Sequence, residues 1–561
     1  MKARKFLAVP LLAVALTISA CNTGDTGAGT TTDQPSAAPI SAQDINVQDR
    51  ASLTPGGTLR QPVSDFGNNW NPLNVNGNND EMKDVLDPMS ADSFDYSPKG
   101  TPTPNPNFVE SISDDGGNPL VVTMKLNPKA IWNDGSPIDV DDWIATVKAC
   151  NGTDKKFQCA TTVGYDSITS VKQGADKFEV VVTFKAAYPD YTSVLSGVLK
   201  AESVKDAQTF NNGWSDIKTE WMTGPFKLGK YDKTQKIITL VPNDKWWGDK
   251  PLLDTMVFRA MDPEAFAQAF VNGELDSFDI GPDPDAFAKA KTVTDGVIRK
   301  AAGPNFRHFT FNTKAGALAD KVVRQSIVRG LDRQAIGESD LAGIDWPATP
   351  LNNNVFVSTQ EGYEDMAKAT GIDYDPEKAK SDLDAAGWKV GADGIREKGG
   401  KKLTVKFSQL TGVPVSENEA LQAQKQLSEI GIKVDIVSVP TSKFQDGTLM
   451  SNHEFELLAF SWIGTPYPFD SLKQIYGTGA EGNYSQASIP KVDELIKQIE
   501  VESDRAKRID LANEANKLIW EEVMTLPLYQ RPELVATNAK LANFGAKGMS
   551  TLRFENIGYQ K

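Results

Sequence analysis

Hydrophobic and polar positions in the C-terminal third of the chain follow the period of a strand, then of a helix, then of a strand. Apolar residues alternate with polar ones over 403–407, recur largely at helical spacing over 420–430, and alternate again over 432–436. The segment 416–419 has the form of a capping box, and Gly431 can end the helix that follows it. This order is typical of a βαβ unit and predicts a mainly parallel sheet covered by helices.

A similar unit is predicted around residue 270. Asp262 can cap a helix whose first turn holds Pro263, Gly273 can end it, and the residues 275–280 then predict a short strand. Open α/β sheets bind ligands beyond the carboxyl ends of their strands, and two lobes create a cleft between them. The pattern therefore favours a protein that captures a ligand between lobes.

The first residues of the chain have the form of an export signal. Three basic residues precede an apolar run over 6–18, and small residues at positions 19 and 20 lead to Cys21. A membrane span needs about 20 apolar residues, so residues 1–20 are interpreted as a signal peptide. The motif resembles the bacterial lipobox, which implies that Cys21 is lipidated and anchors the protein to the outer face of the cell membrane. A plain secretory peptide cut near Cys21 is the alternative.

A segment rich in Gly, Thr, Ser, Pro and Ala follows Cys21 and continues to about residue 54. It holds few large apolar side chains and cannot bury enough surface to offset its conformational entropy. We therefore predict a lipidated, flexible tether over 21–54. The remaining five hundred or so residues exceed what one core usually serves, so two or more lobes are expected.

Charge and cysteine content narrow the possible functions. The chain carries 59 Lys and Arg against 74 Asp and Glu, a formal net charge of −15. An acidic body argues against nucleic-acid binding, which depends on basic contacts to phosphate. Cys150 and Cys159 lie close together in an exported chain, so we expect a disulfide, with two free thiols as the alternative. Because only His308 and His453 could join these thiols, no zinc site is expected, and no other metal or cofactor.

The most specific stretch of the sequence is the segment 122–148. It contains a strand pattern, the turn Asn133-Asp134-Gly135, and Asp139 as the cap of a helix. It resembles the signature of the family 5 solute-binding proteins, the oligopeptide- and dipeptide-binding components of ABC importers. Further landmarks of that family follow in the expected order, at 56–60, 223–228, 243–247, 311–313, 323–327, 374–388 and 526–529.

The resemblance implies an α/β fold of the periplasmic-binding-protein type II (cluster C), with two cleft-forming lobes and an additional lobe. By that pattern lobe I comprises 56–95, 222–303 and 525–561, lobe II comprises 96–221, and lobe III comprises 304–524. A hinge lets ligand binding shift the open–closed equilibrium, and an importer can recognise the closed form. The implied partners are a peptide or other small molecule and the permease subunits, and the protein is expected to be a monomer.

The resemblance also implies where the ligand binds. In peptide-binding members a tryptophan and an aspartate after a strand of lobe III line the cleft, and the aspartate holds the ligand's amino terminus. The corresponding stretch here holds Trp462, Gly464, Thr465 and Tyr467, with Thr465 in the place of the aspartate. A buried ammonium needs a negative partner, so Asp470 or another carboxylate must replace it if a free peptide amine binds. A blocked or longer peptide, a glycan or a glycolipid are the alternatives.

Several of these residues have a second interpretation. Trp462 and Tyr467 are predicted to line the site because aromatic rings give large, stiff contact surfaces, but each could instead lie in the core of lobe III. Gly464 would allow close backbone approach or serve only the turn. Asn69 and Trp70 should face the same cleft if the lobe assignment holds, and a solvated turn with a partly buried tryptophan is the alternative. Neither histidine is expected to be catalytic.

Three classes of function remain after these observations. The leading one is a binding module for an importer, with no catalytic residues. An envelope hydrolase is the second, although the sequence has no H-E-x-x-H helix and no G-x-S-x-G elbow; two-carboxylate glycosidases escape that test. The third is an envelope-assembly or regulatory lipoprotein that keeps the cleft without a transporter partner.

Overall fold

A computed structural model describes residues 40–445 and 447–561. The predicted signal peptide, the lipidation site Cys21 and the predicted tether as far as residue 39 lie outside the described residues. Within the described part, none of the helices combines the length and the apolar character that a membrane span requires.

Strands occur from one end of the described chain to the other. In chain order they are β1 (Leu53–Thr54), β2 (Thr58–Val63), β3 (Phe94–Tyr96), β4 (Pro102–Pro104), β5 (Val109–Asp114), β6 (Val121–Leu126), β7 (Ile168–Gln173), β8 (Glu179–Phe184), β9 (Phe226–Asp232), β10 (Ile237–Pro242), β11 (Thr255–Ala260), β12 (Ser277–Asp279), β13 (Gly296–Phe311), β14 (Lys389–Val390), β15 (Arg396–Lys398), β16 (Lys401–Lys402), β17 (Thr404–Leu410), β18 (Lys433–Val439), β19 (Leu457–Trp462), β20 (Thr525–Asn538), β21 (Leu541–Ala542) and β22 (Gly558–Gln560).

The α-helices are concentrated between residues 320 and 522. In chain order they are α1 (Asp80–Leu86), α2 (Val140–Cys150), α3 (Ala207–Asn212), α4 (Phe266–Val271), α5 (Pro284–Ala290), α6 (Lys321–Gly330), α7 (Arg333–Asp340), α8 (Met366–Thr370), α9 (Pro376–Ala385), α10 (Pro414–Ser428), α11 (Thr441–Gln445), α12 (Thr448–Ser451), α13 (Pro468–Tyr476), α14 (Pro490–Ile499) and α15 (Arg505–Glu522).

The first core is built on a four-stranded sheet in the order β2-β11-β10-β9. Helix α1 packs on this core through Met82 and Val85, which are almost fully buried. The side chain of Asn79 caps α1 by accepting a hydrogen bond from the backbone N–H of Met82. Because only one face of α1 is apolar, its polar residues, among them Lys83 and Asp84, are left outside this core.

The second core is built on the sheet β5-β6-β8-β7 and on α2. Strand β6 and helix α2 come from the specific segment 122–148. Asp139 and Asp142 form a capping box at the start of α2, and Asp142 also accepts a hydrogen bond from the indole of Trp132 at 2.9 Å. Cys150, at the end of α2, is joined to Cys159 by a disulfide with a Cα–Cα distance of 5.7 Å.

The third core surrounds a mixed six-stranded sheet in the order β12-β20-β13-β19-β17-β18. Strand β17 is parallel to both β18 and β19, so the βαβ unit predicted over 403–436 is present as β17, α10 and β18. The sheet as a whole is not mainly parallel, because β12, β20, β13 and β19 pair in antiparallel order. Helix α10 begins at Pro414, so the predicted capping box lies inside it, and Ser416 Oγ accepts a hydrogen bond from Leu410 N–H at 2.9 Å.

The second predicted unit differs from the prediction in topology. A short 3-10 turn leads into α4, and Asp262 caps it by accepting a hydrogen bond from the N–H of Glu264 at 3.0 Å. Strand β12 follows as predicted. These elements do not form a βαβ unit, because β11 belongs to the four-stranded sheet whereas β12 pairs with β20 in the six-stranded sheet.

Strands β13 and β20 are the longest of the described chain, with 16 and 14 residues. Their pairing is interrupted between Ala302 and Phe306. At this break the side chain of Gln530 donates a hydrogen bond to the carbonyl oxygen of Gly303 at 2.8 Å. The break lies at the predicted boundary between lobes I and III, which is where a hinge of two antiparallel strands would bend.

The prediction of a tether as far as residue 54 is wrong for residues 40–54, which lie on the body. Asp44 forms a β-bridge with Ala546. Strand β1 pairs with β22 in a three-stranded sheet, and Leu53 is only 3% exposed. The reason is tertiary: the last residues of the chain present a strand edge that β1 completes. Apart from this, the division into lobes stays a prediction.

Candidate ligand-binding cleft

A cavity of about 610 Å³ lies between α1, β12, the break in β13 and the loop that follows β19. We call this cavity the cleft. Its size is within the range of small-molecule binding pockets, about 300–1,000 Å³. Its walls come from parts of the chain that are far apart in sequence, including residues 80–87, 277–279, 304–305 and 533–535.

The loop after β19 reaches the cleft with Ile463 and Gly464. The side chain of Ile463 is 67% exposed, so it offers an apolar surface to a ligand. A Cβ atom at Gly464 would lie 2.1 Å from the carbonyl oxygen of Pro304, at the break in β13. Only glycine therefore allows this loop to approach the hinge strand so closely.

Thr465 is exposed and is not among the described residues that line the cleft. Its hydroxyl accepts a hydrogen bond from the N–H of Tyr467 at 3.1 Å, and its carbonyl accepts one from the side chain of Gln360 at 3.0 Å. An aspartate at position 465 would also lie outside the cleft in this structure. Another residue would therefore have to hold the amino group of a ligand.

Tyr467 lies in a cavity next to the cleft rather than in the cleft. We call this cavity of about 350 Å³ the chamber; its lining includes Asp92, Tyr96, Asn105 and Glu555. The hydroxyl groups of Tyr467 and Tyr96 form a hydrogen bond, and the two rings meet edge to face with centroids 6.2 Å apart. Burial, with Tyr96 beside it, raises the pKa of Tyr467, so its hydroxyl stays protonated.

Trp462 has a packing role in the described structure. Its ring stacks between His308 and Tyr484, with ring centroids 5.8 Å away on each side. His308 is fully buried, and burial together with Arg307 lowers its pKa to about 3, so the imidazole is neutral. This aromatic stack supports the end of β19 and orients the loop behind the cleft.

Asn69 and Trp70 do not face the cleft, which corrects the expectation from the sequence. Asn69 is 6% exposed and donates a hydrogen bond to the carbonyl oxygen of Asn211 at 2.9 Å. Trp70 is 1% exposed and packs against Phe66 and Tyr231 in the first core. The lobe assignment placed them near the cleft, but burial of the indole in the core outweighs exposure at its surface.

Carboxylates are the functional candidates that the sequence analysis missed. Asp84, Asp279 and Glu533 line the cleft. Burial raises the pKa of Asp84 to about 6 and that of Glu533 to about 7, and it also raises the pKa of Asp279. Glu533 accepts hydrogen bonds from the N–H groups of Gly548 and Lys547, at 2.7 and 3.1 Å. Acidic residues recur over 80–87, and this was the one feature of the sequence that could have indicated Asp84. Asp279 and Glu533 lie on separate strands, so no local pattern connects them.

Asp470 was considered from the sequence as a replacement anchor, but the structure places it elsewhere. It lies at the start of α13 and is not among the described residues that line the cleft. Burial, with Asp190 nearby, raises its pKa to about 7. Its surroundings include Arg508, so it belongs to a contact between the second core and the helices α13 to α15.

That contact is an ion pair between Asp190 and Arg508. Arg508 donates from Nη1 to Asp190 Oδ1 at 3.0 Å and from Nη2 to the other carboxylate oxygen. The two side chains are only 14% and 5% exposed, and the guanidinium lies 4.0 Å from the ring centroid of Phe469. Together with the hydrogen bond between Tyr96 and Tyr467, it joins parts of the chain predicted to belong to different lobes.

Comparisons with known proteins agree with this geometry. Residues 103–484 match the family model described as "Bacterial extracellular solute-binding proteins, family 5 Middle". The chain is 35% identical over 557 residues to the oligopeptide-binding protein OppA of Mycobacterium tuberculosis, covering 98% of this chain and 93% of that protein.

Two solved structures show the same fold. The periplasmic EDTA-binding protein EppA has a TM-score of 0.82 at 23% identity, covering 94% of this chain and 100% of that chain. The oligopeptide-binding protein AppA from Bacillus subtilis, in complex with a nonapeptide, has a TM-score of 0.70 at 22% identity, covering 91% and 100%. They confirm the predicted α/β fold of the type II (cluster C) binding proteins. With the family match and the OppA relative, they lead to one conclusion: this chain belongs to the bacterial extracellular solute-binding proteins, family 5.

Proposed function

We propose that this protein is the substrate-binding lipoprotein of an ABC importer, which captures a peptide in the cleft and delivers it to the permease. The observation that carries the proposal is the cleft, a cavity of about 610 Å³ beside the break in the long strand β13. The OppA relative is an oligopeptide-binding protein, and the AppA structure contains a nonapeptide. As a member of this family the protein binds a solute and is not an enzyme.

The amino terminus of the peptide is held by the cleft carboxylates Asp84, Asp279 and Glu533. Asp84 and Asp279 are exposed, but the raised pKa values of all three groups indicate that the nearby cations, such as Lys547 for Asp84 and Glu533, do not fully offset the cost of ionisation. A further positive partner would therefore favour the ionised forms. A peptide ammonium would supply that partner and would be held by charge-assisted hydrogen bonds. These carboxylates therefore hold the ligand amine, which Thr465 cannot do because its side chain carries no negative charge. The exposed side chain of Ile463 supplies apolar contact.

Closure of the lobes retains the ligand. The break at 302–306 in β13 is the bending point, and the Asp190–Arg508 and Tyr96–Tyr467 contacts join the lobes when they meet. A ligand that contacts both sides of the cleft stabilises the closed form over the open form. The permease would then receive the protein mainly when it carries a ligand.

Lipid attachment at Cys21 is part of the proposal and has its own test. Labelling growing cells with a clickable fatty acid should mark the wild-type protein and leave it with the membrane fraction. Substitution Cys21→Ala should abolish the label and release the protein. Release of an unlabelled wild-type protein would favour the plain secretory alternative.

Thermal unfolding with and without ligands tests the choice of a peptide. Free-amine peptides, their acetylated forms, oligosaccharides and envelope glycolipids are compared. A ligand that binds only the folded state stabilises it by about 2.7 kcal/mol at a hundredfold excess over Kd. We expect a shift with free-amine peptides and a smaller one with acetylated peptides; a shift with glycans or glycolipids alone would overturn the peptide assignment.

A substitution at the cleft tests the anchor. Asp84→Asn removes one carboxylate that has no hydrogen bond in the described part of the structure, so the fold should tolerate it. The exposed Glu397 on β15 provides a matched control as Glu397→Gln. We expect Asp84→Asn to reduce the preference for free over acetylated amines, whereas Glu397→Gln leaves it unchanged. An unaltered preference in Asp84→Asn would remove this residue from the anchor.

A further inference from the structure

The chamber beside the cleft is a second, polar cavity that the proposed peptide backbone site does not use. Its volume is about 350 Å³, the space of roughly twelve water molecules at about 30 Å³ each. It adjoins the cleft, since Lys83, Asp87 and Pro466 line both cavities. A side chain of a ligand bound in the cleft could therefore extend into the chamber.

The charges that line the chamber are unequally paired. Four carboxylates and three cations take part: Asp87, Asp92, Asp95 and Glu555, with Lys83, Lys547 and Arg553. Lys83 pairs with Asp87, and Arg553 pairs with Asp95. Within the described residues Asp92 has neither a hydrogen bond nor an ion pair through its side chain. Lys83 and Arg553 lie near enough to favour the ionised form of Asp92, but neither bonds to it directly in the described structure.

Two further side chains of the chamber are more than nine-tenths buried and still have unused polar atoms. Glu555 is 7% exposed, and its carboxylate forms an ion pair with Arg553 Nη1 at 3.8 Å, beyond hydrogen-bonding distance. Asn105 is 5% exposed; its Oδ1 accepts hydrogen bonds from Arg553 and from the N–H of Asn107, but its Nδ2 has no acceptor among the described residues. Both residues line the chamber, so a ligand there can bind to these atoms.

Aromatic side chains form part of the remaining wall of the chamber. Phe94 and Phe108 are buried there, and the rings of Phe108 and Trp246 lie 5.9 Å apart. Aromatic faces attract guanidinium and ammonium groups and also pack against the methylene stem of such side chains. The chamber thus combines apolar walls with uncompensated negative charge at its polar end.

We propose that the chamber is a subsite for a cationic side chain of the bound ligand, an arginine or lysine of a peptide, with Asp92 and Glu555 holding the charge. This inference rests on the proposed function, because it places the peptide backbone in the cleft. Asn105 Nδ2 donates to a carbonyl group or water beside the cation. The protein would therefore prefer basic peptides over neutral or acidic ones of the same length.

Calorimetric titration with matched peptides tests the subsite. The peptides differ at one position, which carries arginine, citrulline, norleucine or glutamate, and free arginine is titrated separately. Citrulline keeps the shape of arginine and removes its charge, so the ratio of their Kd values isolates the charge. We expect the arginine peptide to bind at least about tenfold more tightly than the citrulline peptide, and the glutamate peptide to bind weakest.

Two substitutions locate the effect. Asp92→Asn and Glu555→Gln keep the size of each side chain and remove its charge, singly and together. The double variant should bind the arginine and citrulline peptides with equal Kd values while binding the norleucine peptide as the wild type does. Glu397→Gln, on the surface, is the matched control and should keep the arginine preference. Thermal unfolding shows whether each variant is folded.

The outcomes separate the subsite from the proposed function. Equal binding of arginine and citrulline peptides by the wild type would overturn the cationic subsite and leave peptide capture intact. Persistence of the preference in both single variants and the double variant would overturn the assignment to Asp92 and Glu555. If the protein bound free arginine but none of the peptides, the subsite would be supported and peptide capture overturned. If it bound neither arginine nor any peptide, both proposals would be overturned.

Discussion

Carboxyl groups dominate the chemistry of the cleft and the chamber. Asp84, Asp92 and Glu533 all have pKa values raised to between about 6 and about 7, with burial as the largest cause. Removal of water disfavours the ionised form unless a cation replaces it. Such groups often mark functional sites, and here they favour a ligand that brings positive charge.

The substitution Asp92→Asn should stabilise the ligand-free protein at pH 7. Burial raises the pKa of Asp92 from 3.8 to about 6. The ionised carboxylate therefore lowers the stability of the fold as the pH rises above 3.8, and the loss is complete above about pH 6. After allowance for partial exposure, the gain is about 1–2 kcal/mol. Lys83, Asp87, Asp95 and Arg553 surround the group and stay in place.

Urea unfolding at several pH values measures this gain. The difference between variant and wild type should be full above about pH 6 and should disappear as the pH falls to about 4, because Asp92 is then protonated in both the folded and the unfolded state. A variant that is less stable than the wild type at pH 7 would show that Asp92 has a structural partner.

At the scale of elements, the loop after β19 lies in close contact with the paired strands β13 and β20 at the break in their pairing. Strand β13 is interrupted between Ala302 and Phe306, and β20 follows it along both sides of the break. Pro304 lies within the interruption, where no pairing with β20 is required of it. Gly464, in the loop after β19, contacts β13 at this point, so the loop that lines the cleft and the proposed hinge share one contact.

The substitution Gly464→Ala should therefore weaken ligand binding and stability together. The added Cβ would lie 2.1 Å from the carbonyl oxygen of Pro304, which is backbone and cannot rotate away. Overpacking of this kind costs about 1–3 kcal/mol. Gly197→Ala is a matched control, because its Cβ would meet its nearest neighbour, the carbonyl oxygen of Ala91, at 3.7 Å.

Thermal unfolding and peptide titration of both alanine variants provide the measurement. A lower melting temperature and a higher Kd are expected for Gly464→Ala alone. If Gly464→Ala behaved like the control, the loop would have to move independently of the hinge strand.

For the whole molecule, we propose that the contacts between the predicted lobes hold a closed arrangement. The Asp190–Arg508 pair is almost fully buried and has two hydrogen bonds. Ion pairs gain strength when they are shielded from water, but loss of one partner leaves a costly isolated charge. In an open molecule water would solvate Arg508, so that cost would apply to the closed form only.

The substitution Asp190→Ala should shift the protein toward the open form. We expect the Kd for peptides to rise about tenfold, equivalent to about 1.4 kcal/mol. Glu361→Ala is the control, since Glu361 pairs with Arg505 on the same helix α15 but both side chains are largely exposed.

Small-angle scattering over a peptide titration, from subsaturating to saturating concentrations, is the second measurement. The radius of gyration of Asp190→Ala should exceed that of the wild type at subsaturating peptide and should approach it at saturation. Identical titration curves for Asp190→Ala and Glu361→Ala would assign the pair to stability rather than to closure.

Local sequence was sufficient for much of the architecture. The alternation over 403–407 and 432–436 predicted β17 and β18, and Asp139 was correctly expected to cap α2, because these features depend on neighbours within a few residues. The mixed six-stranded sheet was not predicted, since its antiparallel pairs join strands such as β13 and β20 that lie more than two hundred residues apart.

The sequence by itself determined the family, the class of fold and the loop that reaches the cleft. Motifs in order along one chain need no knowledge of distant contacts, and Gly464 was identified in that way. Only the tertiary structure decided which side chains line the cleft. It placed Trp70 and Trp462 in packed aromatic surroundings, removed Thr465 from the cleft, and brought Asp84, Asp279 and Glu533 together. Charge at a site depends on proximity in space, and proximity in space arises from packing between strands and helices that are remote in sequence.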